Sequence, residues 1–310
     1  MTGSIAPTLS LGLPNFGTLL SGNDYDDMLS VARAADELGI ARVIVTDHVV
    51  MGRNLDAYSW GEFGGTSDTP WLEPLTALAV IAGQTSRLRL ATGILIAPLR
   101  GAAVLAKTAA TLDVLSHGRL ELGVGTGWQR EEYDAAGLDF AARGRLLSDL
   151  MATMRCLWVD APARVTTETV AFDDIFCLPR PVQKGGVPLW VSGSLTRPVV
   201  ERIARWGDGW IPIMGSRGED VAAGVDLLRA AYAEAGRDPA GVQVRGLIGV
   251  RRDDTGAVDW PATLKRIPRL VDIGVTDVQV MAEMLGRSAS EIVDNLPALV
   301  DKFASATSAP

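Results

Sequence analysis

The alternation of apolar and polar positions is clearest between residues 87 and 128. Leucines first alternate with arginines, a short apolar run ends at residues 93–98, and an extended pattern resumes at residues 119–124; this predicts two strands. The segment between them predicts a helix with one face formed by Val104, Leu105, Thr108, Leu112 and Leu115. Parallel strands joined by a helix place residues 93–98 and 125–128 at the same sheet edge, where parallel sheets and barrels build their binding sites.

The same rhythm of short apolar strands and amphipathic helices runs through the whole chain. The predicted strands, about eight, lie at residues 8–13, 42–46, 88–92, 119–124, 189–192, 209–213, 242–250 and 278–281. Helices are predicted at residues 24–38, with Asn23 or Asp24 as the cap, and at 75–84, 104–115, 143–158, 196–206, 219–235, 261–272 and 288–304. These strands are too short and too apolar to be half exposed. The pattern therefore predicts an α/β fold, a (β/α)8 TIM barrel, and favours it over a doubly wound open sheet.

Residues 159–187 interrupt this rhythm with prolines and glycines around two short extended pieces. We interpret them as an insertion between the fourth helix and the fifth strand. No other segment resembles a domain boundary, so we predict one domain over residues 1–310, with loose tails at residues 1–7 and 305–310.

A long loop, residues 49–70, follows the second predicted strand and is rich in aromatic residues and glycine. Loops of this length in compact domains are usually lids or binding loops. We expect Trp60 and Phe63, together with Trp128, to contact an apolar or ring-containing substrate. Tryptophans buried in the hinge of a lid would give the same pattern.

Composition narrows the range of partners. With 310 residues, 47% of them hydrophobic and 21% charged, the chain can bury a large core. Its net charge of -8 opposes a nucleic acid or an anionic membrane as partner and leaves a small-molecule substrate. Neither a leader nor an apolar run of about 20 residues is present, which predicts a cytoplasmic protein. Cys156 and Cys177 have no metal-ligand or disulfide spacing, so we predict inert thiols and no metal site.

Three segments taken together resemble the luciferase-like monooxygenase superfamily, in particular its coenzyme F420-dependent oxidoreductase branch. They are DELGIARVIVTDH at residues 36–48, ATGILIAPLRGAAVLAKTAATLDVLSHGRLELGVGTGW at 91–128, and LWVSGSLTRPVVERIARWGDGWIP at 189–212. The resemblance implies a TIM barrel whose C-terminal face binds a flavin or a deazaflavin. It also implies a homodimer.

The pair Asp47-His48 lies where the second predicted strand ends. Histidine donates or accepts protons near neutral pH, and a neighbouring carboxylate can fix its tautomer. A capping aspartate beside a loop histidine is the alternative. The resemblance favours His48 as the catalytic acid or base and Asp47 as part of the cofactor site. His117 lies at the opposite end of the barrel, where we expect a structural role at a helix C-terminus.

Two glycine-containing segments are candidates for contact with the cofactor ring. In similar proteins the position of Gly93-Ile94 holds a bulge with a non-prolyl cis peptide behind the ring, so we predict a cis bond; an ordinary β-bulge is the alternative. Gly125, Thr126 and Gly127 allow close approach of a ligand to the backbone, with Trp128 as a wall, although a tight turn would have the same sequence.

Phosphate binding is predicted at Ser192-Gly193-Ser194. This turn precedes the helix that Thr196 begins, and free N–H groups at a helix N-terminus suit an anion. The resemblance also implies a phosphate here, and a plain helix cap is the alternative. We expect Glu131 and Glu132 to be exposed carboxylates at a helix start, and orientation of the substrate is the alternative. We expect Lys107 and Arg119 to be structural ion partners.

Together these features predict an oxidoreductase that exchanges a hydride between coenzyme F420 and a small organic substrate. The first alternative keeps the barrel but uses reduced FMN and oxygen, as a monooxygenase supplied by a separate reductase. The second is a non-catalytic protein that binds or carries the flavin or deazaflavin. Asp47-His48 argues mildly against the latter.

Overall fold

The predicted strands form a closed parallel barrel. The computed structural model describes residues 6–17, 25–61 and 63–308. Within them the strands are Thr8–Gly12 (β1), Arg42–Val45 (β2), Arg89–Thr92 (β3), Leu95–Ile96 (β4), Leu120–Gly125 (β5), Ala163–Thr166 (β6), Ala171–Ile175 (β7), Leu189–Ser192 (β8), Gly209–Ile211 (β9), Gln243–Ile248 (β10) and Asp277–Met281 (β11). Since β4 continues β3 after a two-residue irregularity, and β6 and β7 lie outside the barrel, eight strand positions make up the barrel in the described chain.

Strand pairing closes the barrel without a free edge. The order is β3, β2, β1, β11, β10, β9, β8, β5, and β5 pairs in turn with both β3 and β4. Every pairing in the ring is parallel; for example, Leu11 lies opposite Val43 on one side and Val280 on the other. Because all strands run the same way, all their C-terminal ends open at one mouth. The predicted (β/α)8 barrel is confirmed.

Helices surround the barrel and bury apolar side chains against its outer face. They are Asp26–Glu37 (α1), Pro74–Gln84 (α2), Ala102–Leu115 (α3), Arg130–Ala135 (α4), Arg143–Val159 (α5), Arg197–Trp206 (α6), Gly218–Glu234 (α7), Trp260–Leu264 (α8), Ile267–Asp272 (α9) and Ala289–Thr307 (α10). The helix predicted at residues 261–272 is two short helices. The predicted cap at Asn23 or Asp24 lies outside the described residues. No helix in the described part of the chain is both long and apolar enough to cross a bilayer.

The predicted inward face of α3 was partly wrong. Leu105 and Leu112 are buried, whereas Val104 and Leu115 are 70% and 67% exposed. Thr108 is exposed as well. The rest of the buried face consists of Asp113 and three alanines, Ala106, Ala109 and Ala110. Small side chains let the helix approach its neighbours closely, and a pattern that counts only large apolar residues misses them.

The predicted insertion is a small antiparallel sheet. The two extended pieces at residues 159–187 are β6 and β7, which pair with each other and stand between α5 and β8. Both cysteines are free thiols. The predicted C-terminal tail begins later than expected, because α10 continues to Thr307; residues 1–5 and 309–310 lie outside the described chain.

Charged side chains fill the half of the barrel interior nearer the N-terminal ends of the strands, which we call the lower half. Arg42 pairs with Glu121 at 3.2 Å and with Asp277, and Arg245 pairs with Asp277 at 2.7 Å. Arg89 pairs with Glu121 from the lower edge. The indole of Trp190 lies beside this cluster, 4.7 Å from the Arg245 guanidinium carbon. This floor closes the barrel from below and leaves its C-terminal end as the place for a site.

Candidate active site

The predicted site residues come from four neighbouring strands. His48 follows β2, Gly93-Ile94 follows β3, residues 125–127 follow β5, and residues 192–194 follow β8. Since these strands are parallel and adjacent in the barrel, the four segments meet at its C-terminal mouth. The residues predicted from the sequence therefore lie together at one end of the fold, and their role as a site stays a prediction.

His48 is held by a carboxylate from the start of α4. Its Nδ1 lies 3.2 Å from Oε2 of Glu132, and the other carboxylate oxygen accepts the backbone N–H of Val49 at 2.9 Å. Glu132 is 1% exposed, so the expectation of an exposed helix-start carboxylate was wrong. Because a carboxylate accepts but does not donate, this contact assigns a proton to Nδ1 and leaves Nε2 as the ring nitrogen that can exchange a proton with a ligand.

Asp47 does not orient His48. It accepts both Nη groups of Arg100, at 2.6 and 3.0 Å, and the backbone N–H of Ile96 at 2.8 Å. Asp47 is 5% exposed, and both oxygens of its carboxylate are bonded to these donors. Its assignment to the cofactor site stays a prediction. Asp47 instead fixes the backbone that follows Gly93-Ile94, and Arg100 is the partner that sequence reasoning did not identify.

The Gly93-Ile94 peptide is cis, as predicted. Here β3 crowds against β5: Thr92 donates its hydroxyl to the Gly123 carbonyl at 2.7 Å, and a Cβ at Gly123 would overlap the Thr92 carbonyl. The Ile94 side chain lies 2.9 Å from where a Cβ of Gly125 would be. Glycine is thus required on β5 because the bulge and the Ile94 side chain occupy that space.

Residues 125–127 form a tight turn as well as part of the mouth. Gly127 has φ +66°, and a Cβ there would lie 2.9 Å from Ile96. Tyr133 anchors the turn by donating its hydroxyl to the Thr126 carbonyl at 2.6 Å. Burial raises the pKa of the Tyr133 phenol, so it stays a donor. The turn positions Trp128 beside His48, with ring centroids 5.7 Å apart.

Aromatic rings cover His48. Trp71 and Phe63 approach its ring edge-on, at centroid distances of 4.7 and 5.8 Å. Tyr58 connects Phe63 to Trp128 at 5.5 Å from each. Trp60 contacts only Tyr58 among these rings and is 38% exposed, so it lies at the rim. Phe63 and Trp128 therefore lie where predicted, and Trp60 is more peripheral.

The start of the aromatic loop is tied to α4. Gln129, fully buried, accepts the Gly52 N–H at 2.8 Å, and Glu132 holds Val49. Gln129 and Glu132 thus hold both the loop and the histidine. The sequence could have indicated these two residues by their three-residue spacing directly after the end of a strand, because residues three apart at a helix start share one face.

The predicted phosphate turn has an unusual backbone but no bound partner for its hydroxyls among the described residues. Gly193 has φ +143°, and its carbonyl accepts the Trp210 indole N–H at 2.9 Å. Ser194 is exposed, and the Thr196 side chain does not cap α6. The turn is therefore open toward solvent at the start of a helix, as an anion site requires.

Two predicted ion partners have other roles. Arg119 donates to backbone carbonyls of Ser116, Leu88 and Ala82 at 2.7 to 3.0 Å and makes no ion pair in the described chain. Lys107 donates to the Leu178 carbonyl. Both are structural, but the acceptors are carbonyl oxygens. Sequence reveals side-chain charge, not which backbone carbonyls lie nearby.

A cavity also lies at the opposite, N-terminal end of the barrel. It measures about 470 Å³ and is lined by Arg155, Lys184, Arg205 and Arg237 around Asp208. Arg155 and Arg237 are already bound to backbone carbonyls and to Asp208. Since their donors are used in holding β8 and β9 to the helices, this cavity lacks the chemistry found at the mouth.

The mouth presents an open apolar surface and an unpaired donor. Side chains alternate along a strand, so Leu247 points into the barrel while its neighbour Ile248 packs in the outer core. Leu247 is 43% exposed and offers an open apolar surface. The Nε1 of Trp71 is buried and has no acceptor in the described chain. A ligand with an apolar face and a polar edge would cover Leu247 and accept a hydrogen bond from Trp71 Nε1.

Comparison with known proteins agrees with this geometry. The family described as luciferase-like monooxygenase matches residues 9–266. A phthiodiolone/phenolphthiodiolone dimycocerosates ketoreductase of Mycobacterium tuberculosis is 32% identical over 238 residues, which is 74% of this chain and 62% of that protein.

Two solved structures show the same fold. An F420-dependent secondary alcohol dehydrogenase in complex with an F420-acetone adduct has a TM-score of 0.77 at 17% identity, over 96% of this chain and 99% of the other. Monooxygenase RslO1 from Streptomyces bottropensis has a TM-score of 0.76 at 21% identity, over 95% and 98%.

Fold and mouth together define an enzyme of the TIM-barrel class with a histidine–carboxylate pair at its C-terminal face. The chain belongs to the luciferase-like monooxygenase family. At the level of this family it is an oxidoreductase or monooxygenase, and the family membership predicted from its motifs is confirmed.

Proposed function

We propose that the protein is an F420-dependent oxidoreductase that interconverts a small alcohol and its carbonyl compound. The observation that carries this is the His48–Glu132 pair, which stands at the mouth beside the cis Gly93-Ile94 bond. Hydride transfer to or from an oxygen-bearing carbon needs a group that exchanges the oxygen-bound proton, and His48 is such a group. The ketoreductase relative at 32% identity supports the carbonyl chemistry.

When bound, a deazaflavin supplies a ring carbon that accepts or donates a hydride. In the oxidising direction His48 Nε2 takes the hydroxyl proton as the hydride leaves the same carbon, giving a carbonyl product. In the reducing direction His48 returns that proton to the carbonyl oxygen. Glu132 keeps the Nδ1 proton in place and favours the imidazolium that forms.

The aromatic rings around His48 exclude water from the reacting atoms. Phe63, Trp71 and Trp128 leave its side chain 9% exposed. An apolar enclosure strengthens the histidine–carboxylate interaction and suits an apolar or ring-containing substrate. The open turn at residues 192–194 is the proposed contact for the cofactor phosphate.

An FMN-dependent monooxygenase supplied by a separate reductase is the second candidate. The fold shared with monooxygenase RslO1 favours it. Since both cofactors present a tricyclic ring and a phosphate, the mouth and the turn at 192–194 suit either one. Selective binding is therefore the test that separates the two.

The experiment is a fluorescence titration of the purified protein with F420 and, separately, with FMN. We expect F420 to bind at least about tenfold more tightly, a difference of about 1.4 kcal/mol. Leu247→Trp, which fills the mouth, should abolish binding. Leu227→Trp, the same change at a surface leucine of α7, should not. Selective FMN binding would favour the monooxygenase, and binding of neither would reject both.

We also propose a homodimer. Segment 178–182 runs along α3, since Lys107 holds the Leu178 carbonyl and Asp113 accepts the Val182 N–H at 2.8 Å. This side of the barrel exposes Val104, Phe176, Leu178 and Val182, each by more than half. Contiguous exposed apolar side chains are typical of interfaces. Light scattering after size exclusion should give twice the chain mass of 32.8 kDa, and a monomer would refute this.

A further inference from the structure

The charged floor of the barrel has an unbalanced composition. Among the described residues it holds three arginines, Arg42, Arg89 and Arg245, and two carboxylates, Glu121 and Asp277. Burial alone would raise the pKa of each carboxyl, but the neighbouring arginines outweigh it and hold both pKa values below the usual range. Both carboxylates are therefore ionised, and the cluster retains one positive charge.

Arg245 is the member of this cluster that reaches the mouth. Its Nε donates to Asp277 in the lower layer, while Nη1 lies 3.7 Å from where a Cβ of Gly93 would be. The guanidinium thus ends directly beneath the Gly93-Ile94 bond. The residue is 3% exposed, and neither Nη1 nor Nη2 has a hydrogen-bond partner within the described chain.

Contacts within the described chain do not satisfy these two nitrogens. The Trp190 indole lies under the face of the guanidinium and stabilises its charge, but a ring face does not accept in-plane N–H groups in the way that an oxygen does. Arg42, by contrast, has both carboxylates, Thr8 and Ser10 as partners. Arg42 Nε makes no hydrogen bond but faces Glu121 Oε2 at 3.2 Å, so within the described part of the cluster it is Arg245 whose two terminal nitrogens lack any partner.

We propose that Arg245 is a charge-positioning residue that favours the more negative, reduced form of the ring bound at the mouth. A ring that accepts a hydride gains one negative charge unless a proton follows. The buried net positive charge of this cluster, which Arg245 extends toward the ring, stabilises that negative charge more strongly the closer it lies. This inference rests on the proposed function, because it requires a hydride-accepting ring above Gly93-Ile94.

The test compares the affinities of the oxidised and reduced cofactor for the parent protein, Arg245→Gln and Arg89→Gln. Each variant removes one positive charge from the same cluster, but Arg89 lies at the lower edge, where it contacts the Gly118 carbonyl. We expect Arg245→Gln to lower the reduced-to-oxidised affinity ratio about 10- to 30-fold. For a two-electron couple, tenfold corresponds to about 30 mV in the potential of the bound cofactor. Arg89→Gln should change the ratio less than about threefold.

A purely structural role for Arg245 would weaken both forms equally and leave the ratio unchanged, which would overturn the proposal. If Arg245→Gln does not fold, a pH titration followed by the absorption spectrum of the reduced cofactor bound to the parent protein is the test, because the spectrum reports ionisation of the ring. The bound ring should ionise at least about one pH unit below the free ring; ionisation at or above the free value would refute the inference. A parent protein that binds neither F420 nor FMN would instead refute the proposed function.

Discussion

The two ends of the barrel treat their buried polar groups in opposite ways. At the N-terminal end, Asp36 accepts the backbone N–H groups of Ser86, Arg87 and Leu88 at 2.6 to 2.9 Å. Asp113 accepts from the segment at residues 182–183 in the same manner. Each carboxylate there is matched by several donors, so this end is built to hold the fold.

At the mouth, several buried groups are left without partners. Trp71 Nε1, Glu131 Oε2, Glu283 Oε2 and both Nη atoms of Arg245 make no hydrogen bond in the described chain. In the charged floor, Arg42 Nε and Glu121 Oε2 also make no hydrogen bond, but they face each other as an ion pair at 3.2 Å. Burial raises the pKa of Glu283 as well. Such groups are costly unless a ligand satisfies them. The difference indicates that one end of the barrel stabilises the chain while the other is organised to receive a molecule.

The largest expected effect separates the two histidines. His48→Asn should lower turnover about 10²- to 10⁴-fold, because proton exchange with the substrate oxygen is lost. Cofactor affinity should change less than about threefold. His117→Asn is the matched control, since His117 has φ 57° in an exposed turn at the other end and asparagine tolerates that conformation. Steady-state rates equal to the parent in His48→Asn would reject its role.

Next in size is the loss of a fold-holding carboxylate. Asp36→Asn keeps the shape but turns an N–H donor toward the Ser86 N–H, so the free energy of unfolding should fall by about 2 to 3 kcal/mol. Denaturant titration measures it. Glu37→Gln, at an exposed neighbour, should change stability by less than about 0.5 kcal/mol. Equal effects at both positions would contradict the structural role of Asp36.

A smaller effect is expected at Glu132. Glu132→Gln still accepts from His48 Nδ1 and Val49 but carries no charge to favour the imidazolium. Turnover should fall about 10- to 100-fold, or about 1.4 to 2.7 kcal/mol, with the melting temperature nearly unchanged. Steady-state kinetics and thermal unfolding of the same variant measure these two quantities separately. Turnover equal to that of the parent would mean that Glu132 serves only the loop.

Acid should weaken the N-terminal end through Asp36. Burial raises its pKa, but three backbone N–H groups and Ser86 lower it more, so the net shift is downward. A carboxyl with a lowered folded-state pKa contributes stability above its unfolded value of about 3.9, and this is lost as pH falls through the folded value. The stability difference between the parent and Asp36→Asn should therefore shrink below about pH 4. Constancy of that difference between pH 7 and pH 3 would argue against this account.

The smallest effect is expected at the rim of the mouth. Trp60 contacts only Tyr58 among the aromatic rings. Trp60→Ala should raise KM about two- to fivefold and leave kcat within about twofold, because a peripheral contact acts on binding more than on the reaction. Phe63→Ala, which touches His48, Trp71 and Trp128, is the contrasting variant and should lower kcat as well.

Sequence predicted the barrel because strand and helix periodicities repeat along the chain and parallel strands must open at one end. The resemblance also predicted the cis Gly93-Ile94 bond, which is confirmed, and the role of His48, which stays a prediction. The sequence did not identify Glu132 and Arg100 as the partners of His48 and Asp47. Glu132 and Arg100 lie 84 and 53 residues away from these partners along the chain, so only the fold brings them together. The sequence did not single out Arg245 either, because its proposed role depends on how far the side chain reaches across the barrel.

A crystal structure of the protein with oxidised F420 tests the central claim most directly. The account predicts the tricyclic ring at the C-terminal mouth, packed against Gly93-Ile94, with His48 Nε2 facing the reacting side of the ring. A ring bound elsewhere, for example in the cavity around Arg155 and Arg237 at the opposite end, would contradict it.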